Sequence, residues 1–315
     1  MAEIHLPVSL DRTLELLTPA IEGKEHPIVV DGTLGLAGHS YELLSRFPQL
    51  TVIGIDRDSD AIALAAKKLE EFHGRVKIYH DTFDNLGRIL DQFGTRTVNG
   101  ILLDLGVSSM QLDDLDRGFS YAHETELDMR MDRSQGLTAA DVLATYSQAE
   151  LTRILREYGD ERFAPRIARA IVEERQAHPI TKSSKLVDLI KRVIPAPARR
   201  TGGNPAKRTF QALRIEVNGE LDILDRSLPI ALDRLAVGGR LVVLSFQSLE
   251  DRIVKTHFAR ATARRDLPGL PVALPEEDAK YALIFNGSEK ASDEEILINP
   301  RAKSVRIRAI TRVAA

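Results

Sequence analysis

Four aspartates, Asp31, Asp56, Asp81 and Asp104, each close a short apolar run in the first third of the chain. A carboxylate at such a position can accept hydrogen bonds from a ligand's hydroxyl or amine groups. After the first acid comes Gly32-Thr33-Leu34-Gly35-Leu36-Ala37-Gly38-His39. Glycines there let backbone approach a ligand closely, and the helix that follows offers free N–H groups. The spacing is G-x-x-G-x-x-G, not the G-x-G-x-x-G of dinucleotide enzymes, and it contains no G-K-[ST] of a phosphate loop. A tight βα connection alone has the same look. Asp56 lies 24 residues past Gly32, where an acid can hold ribose hydroxyls. The competing role is to cap the next helix, for which Asp58 and Ser59 also qualify. Phe83 reads either as a stacking surface for adenine or as an ordinary buried phenylalanine. Together these residues point to an adenosine-containing cofactor without a demanding phosphate site, and S-adenosylmethionine fits best.

The elements that must position these residues follow from periodicity. Ile28-Val29-Val30, Thr51-Val52-Ile53-Gly54-Ile55, residues 76–79 and Ile101-Leu102-Leu103 are strands, with helices between them at about 39–46 and 59–69. Ile62, Ala65, Ala66 and Leu69 share a helix face. Continuous apolar strands with helical crossovers predict an α/β fold with a doubly wound, mainly parallel sheet. From about Met110 to Pro205 the pattern is helical only. Leu151, Ile154, Leu155 and Tyr158 repeat at helical spacing, as do Ala164, Ile167, Ala168 and Ile171, and Leu186, Leu189, Ile190 and Val193. Ser147 with Glu150 forms a capping box. The α/β signal then returns: a long helix from Thr209, a fresh helix start at Ser227 before Pro229, a strand Leu241-Val242-Val243-Leu244, and a helix capped by Ser248. Val305-Arg306-Ile307-Arg308 reads as a half-exposed strand. The expected organisation is a first part over residues 1–108, an inserted all-helical substrate-recognition domain over 109–205, and a second part over 206–315.

The chain has 315 residues, 43% hydrophobic and 28% charged, which suffices for a real core. Its net charge is −3, so any nucleic-acid surface must be local. It has no cysteine. That excludes disulfides, cysteine-ligated zinc and thiol nucleophiles, and no metal site is expected. It also excludes the thiolate adduct by which carbon 5 of cytosine is usually methylated. No apolar run reaches about 18 residues and no charged-plus-apolar leader opens the chain, so a cytoplasmic protein without a membrane span is expected.

Asp104-Leu105-Gly106-Val107-Ser108-Ser109 continues as Gln111-Leu112-Asp113-Asp114, Arg117-Gly118-Phe119-Ser120 and Leu127-Asp128-Met129-Arg130-Met131-Asp132. With Tyr158-Gly159-Asp160-Glu161-Arg162, Arg208-Thr209-Phe210-Gln211-Ala212-Leu213-Arg214-Ile215 and Ser248-Leu249-Glu250-Asp251-Arg252, these motifs closely resemble the RsmH (MraW) family. That family methylates N4 of a cytidine in small-subunit (16S) ribosomal RNA, and the resemblance covers nearly the whole chain. It implies a class I (Rossmann-like) methyltransferase fold with a helical insertion. It implies cofactor contacts from Ala37, Gly38, His39, Asp56, Phe83, Asp104 and Gln111, beside Gly35 of the glycine turn. It implies a target near the P-site of the decoding centre, in a 30S particle or late assembly intermediate, and a homodimer. Three positions depart from the family pattern. Ala37 stands where a glycine is usual, which is tolerable only if the backbone there needs no positive φ. Gln247 replaces a histidine, which bears against a titrating role. Asn204 and Lys207 alter H-P-A-T-R-T-F but keep positive charge.

Methyl transfer from a sulfonium is an in-line displacement in which the protein mainly positions and desolvates the reactants. A conjugated exocyclic amine is a poor nucleophile, and acceptors for its hydrogens favour a pyramidal nitrogen. Residues after the fourth strand are placed for this. Asp104 could orient the amine or hold the cofactor, and the resemblance favours the cofactor. Ser108, Ser109 and Asp113 are further candidates, or a polar loop that caps the strand. Charge is uneven: eight acids and two arginines between Asp104 and Asp132, fifteen basic and six acidic residues between Arg153 and Arg214. RNA binding is mostly phosphate neutralisation, and Arg199, Arg200, Lys207 and Arg208 are the expected phosphate contacts. The competing readings are a methyltransferase of DNA, protein or a small molecule, and a non-catalytic RNA-binding factor. The basic insert favours RNA, and the strand-end acids favour catalysis.

Overall fold

The computed structural model describes residues 6–196, 204–263 and 279–315. The chain forms two compact units, Met1–Gly106 with Leu221–Ala315, and Val107–Glu220.

The first unit is built on a seven-stranded sheet. Its strands are β1 (Ile28–Asp31), β2 (Thr51–Asp56), β3 (Val76–His80), β4 (Val98–Asp104), β5 (Leu235–Ser245), β6 (Tyr281–Leu283) and β7 (Arg306–Arg312). They are ordered β3-β2-β1-β4-β5-β7-β6. The first five run parallel, β7 pairs antiparallel with β5, and β6 pairs antiparallel with β7. This is the doubly wound class I arrangement expected from the sequence. Successive residues of each buried strand serve opposite faces: Leu102 joins one core with Val29, Val52 and Val242, while Ile101 and Leu103 join the other with Val30, Ile53 and Val243. Helices Leu10–Ile21 and Gly38–Arg46 cover the first face, and Leu86–Phe93 and Glu220–Asp233 the second. Strand order reverses between β1 and β4, so the carboxyl ends of these two strands flank the crevice where such sheets take ligands.

The second unit has its own apolar core. Helices Gln148–Glu157, Ala164–Ala177 and Ser183–Val193 contribute Leu151, Ile154, Ile167, Ile171, Leu186 and Ile190, the positions their spacing singled out. The Ser147–Glu150 capping box is present, Ser147 N donating to Glu150 at 2.7 Å and Glu150 N to Ser147 Oγ at 3.2 Å. Among the described residues its one β-type pairing is an isolated bridge, Glu126 to Lys182.

Three local expectations are corrected. The insert does not end at 205: helix Lys207–Asn218 packs Phe210, Ala212 and Leu213 into the second unit's core, so that unit runs to Glu220. No helix starts at Ser227. Helix Glu220–Asp233 passes through Pro229, and Ser227 Oγ donates to Leu224 O at 2.9 Å rather than capping a new helix. Ser248 is already helical, and Gln247 stands at the N-cap, its backbone N donating to Glu250 at 3.2 Å while its own side chain makes no cap hydrogen bond. Helix Leu10–Ile21 carries Leu10, Leu14, Leu17 and Ile21 at helical spacing, a signal present in the sequence. No helix among the described residues is long and apolar enough to cross a membrane.

Candidate active site

The glycine turn is built by exclusion of side chains. A Cβ on Gly32 would stand 2.6 Å from Leu103 Cδ2 and 3.1 Å from Phe83 Cβ, so Phe83 lies directly beside the turn. Gly32 N donates to Leu102 O at 2.9 Å, which ties the turn to β4. A Cβ on Gly38 would clash with Pro7 Cγ. Ala37 is left-handed, with φ of 57°, and fully buried. The condition under which alanine is comfortable there is therefore not met, and the chain carries backbone strain of about 1–2 kcal/mol at this residue.

Asp56 ends β2 and reaches back to the turn. Its Oδ2 accepts from Gly35 N at 2.7 Å and its Oδ1 from Asp58 N at 2.9 Å. The cap of helix Ser59–Lys68 is Asp58, which accepts from Asp60 N at 3.0 Å, so Asp56 is not the capping residue. Asp81 differs from the other strand-end acids. It accepts from Thr82 N at 2.8 Å and Asn85 Nδ2 at 2.7 Å and is ion-paired with Arg88, so it closes its own loop.

At the switch point Asp31 and Asp104 are joined through Thr33. Asp31 Oδ1 accepts from Thr33 N at 3.3 Å and its Oδ2 from Ser40 Oγ at 2.7 Å, and Thr33 Oγ1 accepts from Asp104 N at 2.6 Å. Burial pushes the Asp31 carboxyl up to about 6. Asp104 is pushed up to about 8, first by burial and then by the neighbouring charges of Asp31 and Glu250. His39 is buried, its Nε2 3.1 Å from Val8 O. A carbonyl only accepts, so Nε2 carries the hydrogen and the neutral ring leaves Nδ1 bare. Burial holds His39 down to about 4, and Nδ1 lies 3.8 Å from Asp104 Oδ2. The Asp104 side chain is 25% exposed overall, yet its Oδ1 is sealed from solvent and has no partner among the described residues. A buried acceptor without a donor is unfavourable unless a ligand supplies one. S-adenosylmethionine fits this site: it brings N–H and O–H donors and positive charge to a pocket whose side chains are acceptors.

Beyond β5 a second acceptor is fixed in place. Glu250, buried, accepts from Phe246 N at 2.8 Å, from Gln247 N at 3.2 Å and from Gln247 Nε2 at 2.9 Å. Gln247 Oε1 is sealed and without a partner among the described residues. The sequence carries a motif around Glu250, but spacing does not reveal that Glu250 clamps Gln247.

The remaining candidates belong to the second unit. Ser108 caps helix Ser109–Asp113: its Oγ accepts from Gln111 N at 3.2 Å, and Gln111 Oε1 accepts from Ser108 N at 3.0 Å. The Ser108 hydroxyl oxygen and the Gln111 amide oxygen are thus engaged in a capping box. Asp113 is exposed at the end of that helix. Lys207 and Arg208 are exposed at the start of helix Lys207–Asn218, and Arg208 donates to Asp160 O at 2.6 Å. Arg199 and Arg200 lie outside the described residues. Other recognised motifs hold the unit together: buried Arg117 donates to Met131 O at 2.9 Å, and Asn218 Nδ2 to Met129 O at 2.8 Å. The acidic stretch is partly neutralised from within, Arg130 pairing with Asp128 at 2.7 Å.

Comparison with known proteins places this geometry in context. The sequence profile described as the MraW methylase family matches residues 2–313. A protein of Saccharopolyspora erythraea named ribosomal RNA small subunit methyltransferase H is 55% identical over 98% of this chain and 93% of its own length. Proteins of the same name from Parafrankia sp. and Salinispora arenicola are 54% and 52% identical, over 99% and 98% of this chain and 95% and 83% of theirs.

Proposed function

The chain belongs to the MraW methylase family, and from that premise we propose that it methylates the exocyclic N4 of a decoding-centre cytidine in 16S ribosomal RNA. The donor is S-adenosylmethionine. The relatives' shared name supports ribosomal RNA of the small subunit as substrate. The substrate form is a 30S particle or late assembly intermediate in the cytoplasm. Absence of cysteine supports the amine over carbon 5 as the target, since no thiolate can add to the ring.

The observation that carries the reading is the sealed, partnerless Oδ1 of Asp104 at the switch point of the sheet. S-adenosylmethionine, when bound, supplies a methyl already activated on a sulfonium. The chain's residues then have to bind, orient and exclude water. Asp56 would hold the ribose hydroxyls while keeping Gly35 in place. Phe83, beside Gly32, would offer its ring to the adenine. Gly35, Ala37, Gly38 and His39 let the backbone come close, and Asp104 supplies an acceptor and negative charge. Gln111 would contribute through the backbone it braces. Ser108 and Asp113 remain candidates for contact with the amine, although the Ser108 oxygen already serves its helix cap. Lys207 and Arg208, with Arg199 and Arg200, would neutralise phosphates. The target base must leave its stack to reach such a pocket.

The reading is tested by mass spectrometry of ribosomal RNA nucleosides from a strain lacking the gene. Loss of N4-methylated cytidine, restored by the wild-type gene, supports it. An unchanged nucleoside profile contradicts it and turns attention to DNA, protein or a small molecule.

A further inference from the structure

We propose that Gln247 Oε1 accepts a hydrogen bond from the exocyclic amine of the substrate base, with Glu250 as the residue that positions it. The inference rests on the amine-methylating reading above and adds a residue to it.

The orientation of the amide is dictated by chemistry. Each Glu250 oxygen faces a donor: Oε2 takes Phe246 N and Gln247 N, and Oε1 takes Gln247 Nε2 at 2.9 Å. An ionised carboxylate can only accept, so the amide must present its nitrogen to Glu250 and its oxygen elsewhere. That oxygen is the sealed acceptor without a partner among the described residues. It is therefore kept for a donor that arrives with a ligand.

Its place in the fold says which donor. β5 lies parallel to β4, with Leu244 opposite Asp104 and Leu105 N donating to Leu244 O at 3.0 Å. Gln247 follows three residues after Leu244, and Phe246 comes within 4.0 Å of where a Cβ on Gly106 would stand. Side-chain oxygens without partners among the described residues, on Asp104, Ser245 and Gln247, thus stand at the carboxyl ends of neighbouring strands. Asp104 can ionise when a cation arrives, which suits a cationic cofactor. Gln247 is neutral and offers only oxygen, which suits an uncharged N–H donor such as a base amine. A carbonyl in the same place, as in uracil, would meet an acceptor and be rejected. The amide takes no proton; the surplus proton that methyl transfer leaves on the amine passes to water. It holds one N–H of the amine so that the nitrogen lone pair is turned out of conjugation.

The test uses the full-length chain, small ribosomal subunits from a strain lacking this methylation, and S-adenosylmethionine labelled in its methyl. Gln247→Met keeps the shape and removes the acceptor. Single-turnover transfer should fall at least about tenfold, while the Kd for S-adenosylmethionine stays within about twofold. Unchanged transfer would overturn the inference. Weaker cofactor binding in proportion to the lost transfer would also overturn it, because the oxygen would then serve the cofactor. Gln247→His keeps the division of labour, one ring N–H for Glu250 and one bare nitrogen for the amine. With S-adenosylmethionine saturating at every pH, it should transfer at pH 8.5 and lose transfer as the pH falls and the ring protonates, a limb absent from the wild type. A wild-type pH profile in that variant, or inactivity at every pH, overturns the inference even if the methionine variant does not fold. Failure of the wild type itself on these subunits would instead remove the functional reading, and this inference with it.

Discussion

His39 Nδ1 and Asp104 Oδ2 face each other across 3.8 Å, a bare ring nitrogen opposite a carboxyl that burial keeps protonated up to about pH 8. His39 cannot supply the charge that would ionise its neighbour, since burial holds it neutral down to about 4. The pair is therefore neutral at pH 7 and set to respond to an incoming cation.

Cofactor binding should release a proton. A cation favours the carboxylate and lowers the Asp104 value from about 8, so near pH 7 the carboxyl gives up its proton on binding. Affinity should rise with pH toward about 8 and level off above it, because the free protein is then already ionised. Titration calorimetry in buffers of different ionisation enthalpy measures the released protons. Asp104→Asn should bring that number near zero, and equal release in both proteins would refute the assignment.

Asp56 should matter twice. Asp56→Asn turns one of the two acceptor oxygens into an NH2 donor, so one of Gly35 N and Asp58 N loses its partner and the ribose loses an acceptor. Binding of S-adenosylmethionine should weaken by about 1–3 kcal/mol, the cost of unpairing buried polar groups. A thermal melt of the free variant separates that loss from loss of the turn. Full affinity in a folded variant would remove Asp56 from the ribose site.

Ala37→Gly should stabilise the protein. Alanine in the left-handed region costs about 1–2 kcal/mol, partly offset by the extra chain freedom of glycine when unfolded, for a net gain of about 1 kcal/mol. A denaturant midpoint that rises with unchanged slope is the expected result. A lower midpoint would mean that the alanine methyl packs usefully in its buried site.

Replacing Arg199, Arg200, Lys207 and Arg208 by alanine should weaken RNA binding and flatten its salt dependence, with cofactor affinity intact. Arg208 already gives one N–H to Asp160 O, so its share should be smaller than that of Lys207. An unchanged salt slope would make these residues a solvated surface.

Much of the fold was legible because its signals are local. Apolar runs ending in Asp31, Asp56 and Asp104 announced parallel strands, and helical spacing announced the insert's core. The boundary at Glu220 was not, because the apolar face of helix Lys207–Asn218 could pack on either unit and sequence does not say which. The site divided along the same line. Acids at strand ends are readable from position. Whether an acid is spent on its own loop, as Asp81 is on Arg88, or left with an unfilled acceptor, as Asp104 is, depends on contacts far apart in the chain. Ala37 shows the opposite failure: its residue type argued against positive φ, and the surrounding packing imposed it.

The central claim concerns one atom of the product. Purified full-length chain, S-adenosylmethionine and small subunits lacking the modification should yield RNA whose digested nucleosides carry the new methyl on N4 of cytidine. Because the chain has no cysteine, subunits bearing 5-fluorocytidine at the target should be methylated without trapping the enzyme. A methyl on carbon 5, a stable enzyme–RNA adduct, or transfer to a base other than cytosine would contradict the account.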